Sequence, residues 1–189
     1  MNEIIKAINT RRSVRSYEQK KVAKDIIHTI IEAGNNAPSA MNSQPWRFVV
    51  VEDEALHNKM LGAAIPNAKN LLKPLETSNP ERYQLIMKRY EELEDPIYYS
   101  APAIIFVIGN GPYADSSCPL ACENMMLAAH SLGLGSCWVA FGSLITGDDE
   151  IRDALDLKDD EKIFGPVIIG YPQGVTEPPD KKPPEVKWI

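Results

Sequence analysis

The spacing of apolar residues near the start of the chain predicts two helices. Residues 4–8 form an apolar helical stripe that follows Asn2, a residue type favoured as an N-cap. Residues 22–33 repeat apolar side chains at helical spacing, and Gly34 comes directly after them. Since glycine accepts the left-handed backbone that ends many helices, we expect the second helix to end at Gly34.

Four apolar runs further along the chain predict strands. They cover residues 46–51, 103–108, 137–141 and 163–171, the last interrupted by Gly165-Pro166. The first run is dense in aromatic and β-branched side chains, which suit a pleated surface. The second is apolar at every position, so we expect an interior strand whose two faces are both covered.

Helices are predicted between the first two strands, with a break. Residues 53–64 and 81–94 have helical patterns. Proline lacks the backbone donor that a helix interior needs, so we expect the chain to be broken at Pro66, Pro74 and Pro80.

Two more helices are predicted in the second half of the chain. Residues 119–132 carry apolar or small side chains on more than one face, which is typical of a helix buried in a core or an interface. A capping box at residues 146–149 predicts a short helix over residues 150–155. The resulting order of elements predicts an α+β domain around a sheet of about four strands. It disfavours a doubly wound fold, because βαβ alternation is missing from the first hundred residues.

Composition narrows the class of protein. The chain has 189 residues, of which 44% are hydrophobic and 24% charged, as in ordinary single globular domains. The net charge of −6 disfavours a nucleic-acid binder, and the longest apolar run, residues 103–108, is too short to cross a membrane. The first residues lack the basic and apolar regions of a signal peptide, and three cysteines suit a reducing compartment. We therefore expect a cytoplasmic protein.

Proline is concentrated at the end of the chain. The sequence has 15 prolines, and 5 of them lie in the last 18 residues. Such a segment favours an extended path, so we expect residues 173–189 to form a tail.

A cluster of arginines is the first candidate for chemistry. Residues 11–15 read Arg-Arg-Ser-Val-Arg, in a protein that is acidic overall. The arginine fork matches phosphate geometry and serine adds a hydrogen bond, so the segment could hold a phosphate group. The alternative is a solvated basic turn.

Two other segments could contact a ligand. Residues 36–46 contain Asn, Ser and Gln side chains whose donors and acceptors suit a flat heteroaromatic ring, although such residues are also common in ordinary loops. In residues 133–136, two glycines could let the backbone approach a ligand, or could simply end a helix. Their spacing is not that of a dinucleotide fingerprint, and the sequence has no phosphate-binding P-loop.

The sequence offers little for metal binding or nucleophilic catalysis. Cys118, Cys122 and His130 have no second pair of ligands at metal-binding spacing. Ser39 and Ser136 are not in a nucleophile elbow. We therefore expect no metal site and no catalytic side chain that acts as a nucleophile.

Four segments together resemble the FMN-dependent nitroreductase family. They are residues 8–17 (INTRRSVRSY), 33–48 (AGNNAPSAMNSQPWRF), 128–138 (AAHSLGLGSCW) and 166–172 (PVIIGYP). The resemblance implies a nitroreductase-like α+β fold with a central, mainly antiparallel sheet flanked by helices. It also implies an intertwined homodimer with two FMN sites at the subunit interface.

The resemblance also implies roles for particular residues. Phosphate and ribityl contacts fall to Arg11, Arg12 and Ser13, and the position near flavin N1 and O2 falls to Arg15. The residues that cover the flavin from the partner subunit would be Pro38, Ser39, Ala40 and Asn42. Leu134 and Gly135 would make backbone contacts at the flavin N5 edge. Lys181 or Lys182 would take the place of the family's basic tail residue. A cation beside N1 favours the reduced, anionic flavin.

The implied activity is ping-pong hydride transfer from NADH or NADPH, through FMN, to a small electron-poor acceptor such as a nitroaromatic or quinone. The chemistry is then the cofactor's. The alternatives are another flavin reaction, such as flavin breakdown or reductive dehalogenation, and a flavin-binding regulatory dimer without useful turnover. The expected layout is one FMN-binding domain over residues 1–172, a variable lid at about 55–100, and a tail over 173–189 that wraps the partner.

Overall fold

A five-stranded sheet forms the centre of the computed structural model, which describes residues 2–189. The strands are β1 (Trp46–Val51), β2 (Ala103–Gly109), β3 (Gly135–Trp138), β4 (Lys162–Ile163) and β5 (Val167–Gly170). The order is β1-β2-β5-β3, with β4 paired to β2, and these pairings are antiparallel. The predicted α+β class and antiparallel sheet are confirmed. The sheet has five strands because the last predicted run divides at Gly165-Pro166 into β4 and β5.

Six α-helices surround the sheet in the described residues. They are α1 (Glu3–Thr10), α2 (Lys24–Asn35), α3 (Glu54–Ser78), α4 (Pro80–Glu92), α5 (Ala114–Ser131) and α6 (Asp149–Ala154). Short 3-10 turns cover Ala40–Asn42 and Ala140–Ser143. The predicted N-cap of α1 is confirmed, since the Asn2 side chain accepts a hydrogen bond of 2.8 Å from the Ile4 backbone N–H.

The predicted breaks at Pro66 and Pro74 are wrong, whereas the break at Pro80 is confirmed, because Pro80 is the first residue of α4. Helix α3 continues through Pro66 and Pro74 and ends only at Ser78. It buries Met60, Ala64, Ala68 and Leu72, one residue in each turn, against the core. Packing along this whole face outweighs the local cost of a helix proline, which is about 3 kcal/mol.

Helix α5 begins earlier than predicted, and Pro119, where the predicted helix begins, lies inside it. The helix starts at Ala114, and Ser117 and Cys118 are already buried in it. Burial in the core is confirmed, but the eight buried residues repeat at positions three and four apart and form one stripe, so the expected burial on more than one face is wrong for this chain, where Leu120 is 45% exposed.

Gly34 packs two helices together, and the prediction that it ends α2 is wrong by one residue. Helix α2 runs on to Asn35. A Cβ atom on Gly34 would lie 2.6 Å from Cγ of Met125 in α5. The glycine therefore lets α2 and α5 approach closely.

Two predicted boundaries in the second half also differ from the structure. Strand β3 begins at Gly135 instead of residue 137, and residues 140–143 form a 3-10 turn instead of more strand. The short helix α6 is capped by Asp148, whose side chain accepts from the Ile151 backbone N–H, and not by Thr146.

Strand β2 separates two hydrophobic clusters. Ile104, Phe106 and Ile108 face the cluster that contains α3, whereas Ile105 and Val107 face the cluster that contains α2 and α5. All seven residues of β2 are buried, so the predicted interior strand is confirmed.

Several apolar side chains remain exposed on this single chain. Helix α1 has no buried residue, and Ile4 is 67% exposed. Residues 173–189 are exposed and contain no helix or strand, with Trp188 91% exposed. No helix among residues 2–189 is long and apolar enough to cross a membrane.

Candidate cofactor site

The arginine segment is fixed to the end of α1 and to the edge of the sheet. The Arg11 backbone N–H donates to the Ala7 carbonyl and caps the helix. One Nη of Arg12 donates to the carbonyls of Asn9 (2.8 Å) and Arg11 (2.7 Å), which places a cation at the negative end of the helix dipole. The chain then pairs with β3, where the Val14 N–H donates to the Ser136 carbonyl at 2.9 Å.

Gly135 makes this pairing possible. A Cβ atom at this position would lie 2.8 Å from the side-chain carbons of Val14. Such a distance is shorter than real carbon contacts, so a larger residue would push the arginine segment off the strand. The glycine motif is therefore part of the support for residues 11–15.

A cavity of about 470 Å³ lies beside the arginine segment. We call it the basic cavity; its lining includes Arg11, Arg12, Ser13, Arg15 and Lys181. The tail reaches this cavity from the same chain, and its Glu177 also lines the wall. Of the two tail lysines considered from the sequence, Lys181 lines the cavity and Lys182 does not.

Two buried polar atoms near the basic cavity lack a hydrogen bond. They are Nε of Arg11 and Oγ of Ser136. Nε of Arg11 lies 3.5 Å from a carboxylate oxygen of Glu123, an ion pair without hydrogen-bond geometry. Buried polar groups in native proteins are nearly always paired, so these atoms indicate a place where a polar ligand fits.

The glycine motif, residues 133–136, lies on another side of the arginine segment. Leu134 and Gly135 line a cavity of about 310 Å³ together with Arg11, Arg12 and His130. The His130 ring lies 2.8 Å from the Thr10 hydroxyl. Burial and the positive charges of Arg11 and Arg12 lower the pKa of His130. The region is therefore electropositive enough to disfavour a further cation.

Arg15 also belongs to a second, aromatic cavity of about 230 Å³. Its lining comprises Arg15, Tyr99 and residues 96–97 and 138–141, which include Trp138 and Phe141. Because Arg15 lines both this aromatic cavity and the basic cavity, the two spaces adjoin at its guanidinium. A long ligand with a phosphate at one end and a flat ring at the other matches this pair.

Sequence reasoning missed Tyr99, Trp138 and Phe141. Tyr99 lies 84 positions after Arg15 in the chain, and no local pattern links the two. The signal that could have drawn attention to it is the concentration of tyrosine between residues 83 and 99.

The wall that carries Tyr99 is held by a buried carboxylate, Asp95. Its oxygens accept hydrogen bonds from the backbone N–H groups of Ile97 (3.0 Å), Tyr98 (2.7 Å) and Ser100 (2.8 Å), and lie 2.8 Å from Nε2 of His57. Burial disfavours the charged form, but the bonds from His57 and the backbone outweigh burial and hold the pKa of Asp95 below its usual value.

Asp95 thereby supports an unusual backbone. Tyr99 has φ of 58° and Ser100 of 51°, in the left-handed region that costs energy for residues other than glycine. The Tyr98 hydroxyl donates 2.9 Å to the Gly142 carbonyl and so ties this loop to the 140–143 turn. Both walls of the aromatic cavity are thus joined through one buried side chain.

The loop that contains Pro38, Ser39, Ala40 and Asn42 lies away from the arginines. The Ala40 N–H donates to Ser117 near the start of α5, whereas Thr10 contacts His130 near its end. Thirteen residues of helix separate these contacts, or about 20 Å. Within residues 2–189, the basic and aromatic cavities include none of the four loop residues.

The cysteines are poor nucleophiles. Cys118 and Cys122 are buried in α5, and burial raises their pKa values to about 11 and about 12. Residues 2–189 contain no group of three or more His, Cys, Asp or Glu side chains placed to hold a metal ion.

Comparison with known proteins identifies the family. The nitroreductase family model matches residues 8–171 of the chain. The chain belongs to this family. The match spans the arginine segment, the 38–42 loop and the glycine motif, and it ends before Lys181 and Lys182.

Relatives and solved structures agree with that assignment. A protein of Archaeoglobus fulgidus with the provisional name NADH dehydrogenase/NAD(P)H nitroreductase is 30% identical over 92% of this nitroreductase-family chain and 87% of its own. A Desulfitobacterium hafniense nitroreductase with bound FMN is 25% identical, with a TM-score of 0.84 over 100% of this chain and 99% of that one. A Bacteroides fragilis nitroreductase with bound FMN is 28% identical, with a TM-score of 0.77 over 100% of both chains.

Proposed function

We propose that this nitroreductase-family protein binds FMN and transfers electrons from NADH or NADPH to an electron-poor acceptor such as a nitroaromatic or a quinone. The observation that carries the proposal is the pair of cavities that adjoin at Arg15, one basic and one aromatic. The FMN bound in the two related structures and the NAD(P)H nitroreductase name of the Archaeoglobus relative support it.

The FMN phosphate is assigned to the basic cavity. Arg11 offers a buried Nε that has no hydrogen-bond partner, and Ser13 offers a hydroxyl on the same wall. Arg12 is held by two carbonyls, so its cation is oriented before a ligand arrives. Lys181 adds a cation from the tail, where the resemblance leads one to expect a basic residue. Four donors of this kind suit a dianionic phosphate.

The flavin ring is assigned to the aromatic cavity, with Arg15 at the junction. The cation of Arg15 there stabilises negative charge on the pyrimidine side of a reduced flavin. Leu134 and Gly135 share a cavity with Arg11 and Arg12, which supports a role at the phosphate and ribityl end instead of the N5 edge that the resemblance implies. Residues 138–141 line the aromatic cavity, and in this proposal they lie beside the edge of the flavin ring.

A partner subunit completes the site in this proposal. The loop with Pro38, Ser39, Ala40 and Asn42 is too far from its own chain's arginines to cover the same ligand, because about 20 Å of α5 lies between them. The exposed Ile4 of α1 and Trp188 of the tail are apolar surfaces that an intertwined homodimer would cover. One working unit would then hold two equivalent sites.

The layout of the chain follows the same proposal. Residues 1–172 form one FMN-binding domain, and residues 173–189 form a tail that reaches the partner after lining the basic cavity. Residues 55–100 act as a lid, since α3 and α4 lead into the loop that carries Tyr99.

The side chains position and tune the cofactor in this mechanism. When bound, FMN would supply the redox chemistry, which is the exchange of two electrons between a nicotinamide donor and the acceptor. Arg15 stabilises the charge, and Asp95, through its backbone hydrogen bonds, keeps Tyr99 in the wall that excludes water. The buried cysteines need take no part, because their raised pKa values keep them as thiols.

A spectrum tests the proposal directly. The purified protein is mixed with FMN, freed of excess, and then treated with NADH or NADPH without oxygen. We expect the bound flavin band to bleach and to return when a quinone or nitroaromatic is added. Bound flavin that stays oxidised with both donors would leave only a flavin-binding protein. A protein that retains no FMN would overturn the assignment.

A further inference from the structure

Helix α4 brings a second guanidinium to Tyr99, a residue of the aromatic cavity wall, although Arg89 itself does not line that cavity. Arg89 lies in the last turn of α4, and its Cζ is 5.4 Å from the centroid of the Tyr99 ring. Cζ of Arg15 is 5.9 Å from the same centroid. Both distances fall within the range of cation–π contacts. Two cations therefore lie beside the Tyr99 ring, one from the arginine segment and one from α4.

Arg89 has no acidic partner. Its side chain makes no hydrogen bond or ion pair with any other residue from 2 to 189, and it is exposed. The neighbouring Lys88, by contrast, forms an ion pair of 3.5 Å with Glu92. In a protein with a net charge of −6, an arginine left without a carboxylate beside a cavity is a notable arrangement.

The charge of Arg89 acts on the same region as that of Arg15. Burial raises the pKa of the Cys137 thiol, and the positive charges of Arg15, Arg11 and Arg89 each oppose that rise. Cys137 lies directly before Trp138, which lines the aromatic cavity. The field of Arg89 therefore reaches the cavity wall.

The cavity itself is complementary to a flat anion. Its lining contains aromatic and apolar residues and Arg15, with no Asp or Glu. The planar fork of arginine pairs with a carboxylate or phosphate through two parallel hydrogen bonds. Since the proposed function assigns Arg15 to the flavin, Arg89 is the cation that remains free for a second molecule.

We propose that Arg89 recognises an acidic group on the flat molecules that react at the aromatic cavity, so that the protein favours anionic ligands over neutral ones of the same shape. This inference rests on the proposed function. The acidic group has two possible sources, the carboxylate of an acceptor and the extra phosphate that distinguishes NADPH from NADH. Ping-pong kinetics separates them, because donor and acceptor have separate values of kcat/KM.

The test compares Arg89→Gln with the parent FMN-loaded protein on matched pairs of substrates. The acceptors are 4-nitrobenzoate and its neutral analogue 4-nitrobenzamide, and the donors are NADPH and NADH. For each pair we take the ratio of kcat/KM for the more anionic member to kcat/KM for its neutral or less charged analogue. We expect this ratio to be about tenfold lower in the variant than in the parent for at least one pair. Taking the ratio within a pair removes differences in intrinsic reactivity.

Lys88→Gln is the matched control. It removes the same charge from the adjacent position of the same helix, but from a side chain already paired with Glu92. We expect its ratios to equal those of the parent. Arg89→Lys should recover part of the loss, because the charge returns without the fork. Glutamine is close to arginine in helix propensity, so α4 should persist, which thermal unfolding checks.

The outcomes separate this inference from the proposed function. A selective loss in the acceptor pair identifies a carboxylate, and one in the donor pair identifies the phosphate of NADPH. Equal changes within both pairs, or the same selective loss in Lys88→Gln, would overturn the inference. If the parent reduces no acceptor, the proposed function fails. In that case, calorimetric titration of 4-nitrobenzoate and NADP⁺ into the oxidised protein tests the role of Arg89 without turnover. Equal binding by the parent and by Arg89→Gln would overturn that role.

Discussion

The arginine segment 11–15 and the 38–42 loop are assigned to one site, yet they are built in opposite ways. The first is capped onto α1, paired with β3 and holds a buried Arg11 Nε without a hydrogen-bond partner. The second is largely exposed, with Met41 85% exposed and φ of 54° at Met41 and 53° at Asn42.

This difference indicates that one chain holds a rigid half of a site and presents the other half elsewhere. Left-handed backbone at non-glycine residues costs about 1–2 kcal/mol each and persists where surroundings hold it. The loop is held by short-range hydrogen bonds, such as those from the Asn42 N–H to the Ser39 carbonyl at 3.0 Å and from the Gln44 N–H to the Ser39 hydroxyl at 3.1 Å. In the proposed site, a partner subunit would cover the side chains that these bonds leave exposed.

Subunit complementation should give the largest effect. It tests whether the arginine segment and the 38–42 loop of one site come from different chains. One protomer carries Arg11→Ala, the other carries Ser39→Ala with Asn42→Ala, and the heterodimer is isolated by two different tags. If each site combines the two segments from different chains, one of its two sites is intact. We expect one tightly bound FMN per heterodimer, measured by calorimetry.

The reverse arrangement is its control. When all three substitutions lie on one protomer beside an unaltered partner, both sites of the dimer are damaged, and no tight site should remain. Heterodimers that bind FMN alike in the two arrangements would contradict a site shared between subunits.

Removing the tail should affect the dimer and the cofactor together. Deletion of residues 173–189 eliminates Lys181 from the basic cavity and the exposed Trp188, so we expect weaker dimerisation by sedimentation velocity and faster loss of FMN on dialysis. Deletion of residues 183–189 alone keeps Lys181 and should loosen the dimer more than it weakens FMN binding. A protein without residues 173–189 that stays dimeric and yellow would show the tail to be dispensable.

The arginine segment alone can be tested by Arg11→Ala. Loss of a charge-assisted hydrogen bond from a half-buried guanidinium should weaken FMN binding by about 1.5–3 kcal/mol, or roughly tenfold to 150-fold. Arg82→Ala removes an exposed arginine from α4 and should bind FMN as the parent does. Unchanged affinity in folded Arg11→Ala would restore the interpretation of residues 11–15 as a solvated basic turn.

The two tail lysines form a matched pair with a smaller expected effect. Lys181 lines the basic cavity and Lys182 does not, although both are exposed. Because water screens an exposed ion pair, Lys181→Ala should weaken FMN binding by only about 0.5–1 kcal/mol, or about twofold to fivefold. Lys182→Ala should leave it unchanged. An equal loss in both variants would mean that net charge matters and the cavity contact does not.

The smallest expected effect is a change in the ionisation of His130. Burial and the charges of Arg11 and Arg12 lower its pKa below the ordinary value of 6.5. A bound phosphate would offset those charges, so we expect the pKa of His130 to rise when FMN binds, measured by NMR titration of the ring proton. His28, an exposed histidine on α2, should not respond. A pKa of His130 that stays constant would place the phosphate elsewhere.

The same histidine sets the direction of a pH effect on stability. Folding lowers the pKa of His130, so the folded state favours the neutral imidazole. The stability that this contributes is fully present above pH 6.5, the ordinary pKa of the unfolded chain, and is lost as the pH falls through the folded-state pKa. His130→Gln should remove this dependence, leaving the effect of Asp95, which disappears only in more acidic solution, below its ordinary pKa of 3.8.

Elements with a strong local pattern were predicted well from the sequence. Strand β1 begins and ends where its aromatic and β-branched run does, and β2 is buried throughout as its unbroken apolar run indicates. The arginine segment was recognised because three cations in five residues are conspicuous in an acidic chain. In these cases the information lies within a few neighbouring residues.

Other features depend on distant partners and had no local signal. Proline should break a helix, yet α3 continues because buried residues on both sides of Pro66, the last of them Leu72 just before Pro74, pack on the core. Glycine is typical of a helix end, but Gly34 is the place where α2 packs closely against Met125 of α5. Asp95 is one of many acidic residues in its segment, and only the folded loop turns its carboxylate toward three backbone donors.

The sequence by itself determined the class of fold and the family, and it predicted the residues proposed to hold a phosphate, because periodicity and side-chain chemistry are properties of short segments. Only the tertiary structure decided that Arg15 adjoins Tyr99, that Arg89 reaches the same ring, and that α5 keeps the 38–42 loop away from the arginines. Those relations join residues tens of positions apart, and they exist only once the sheet and α5 have set the distances between them.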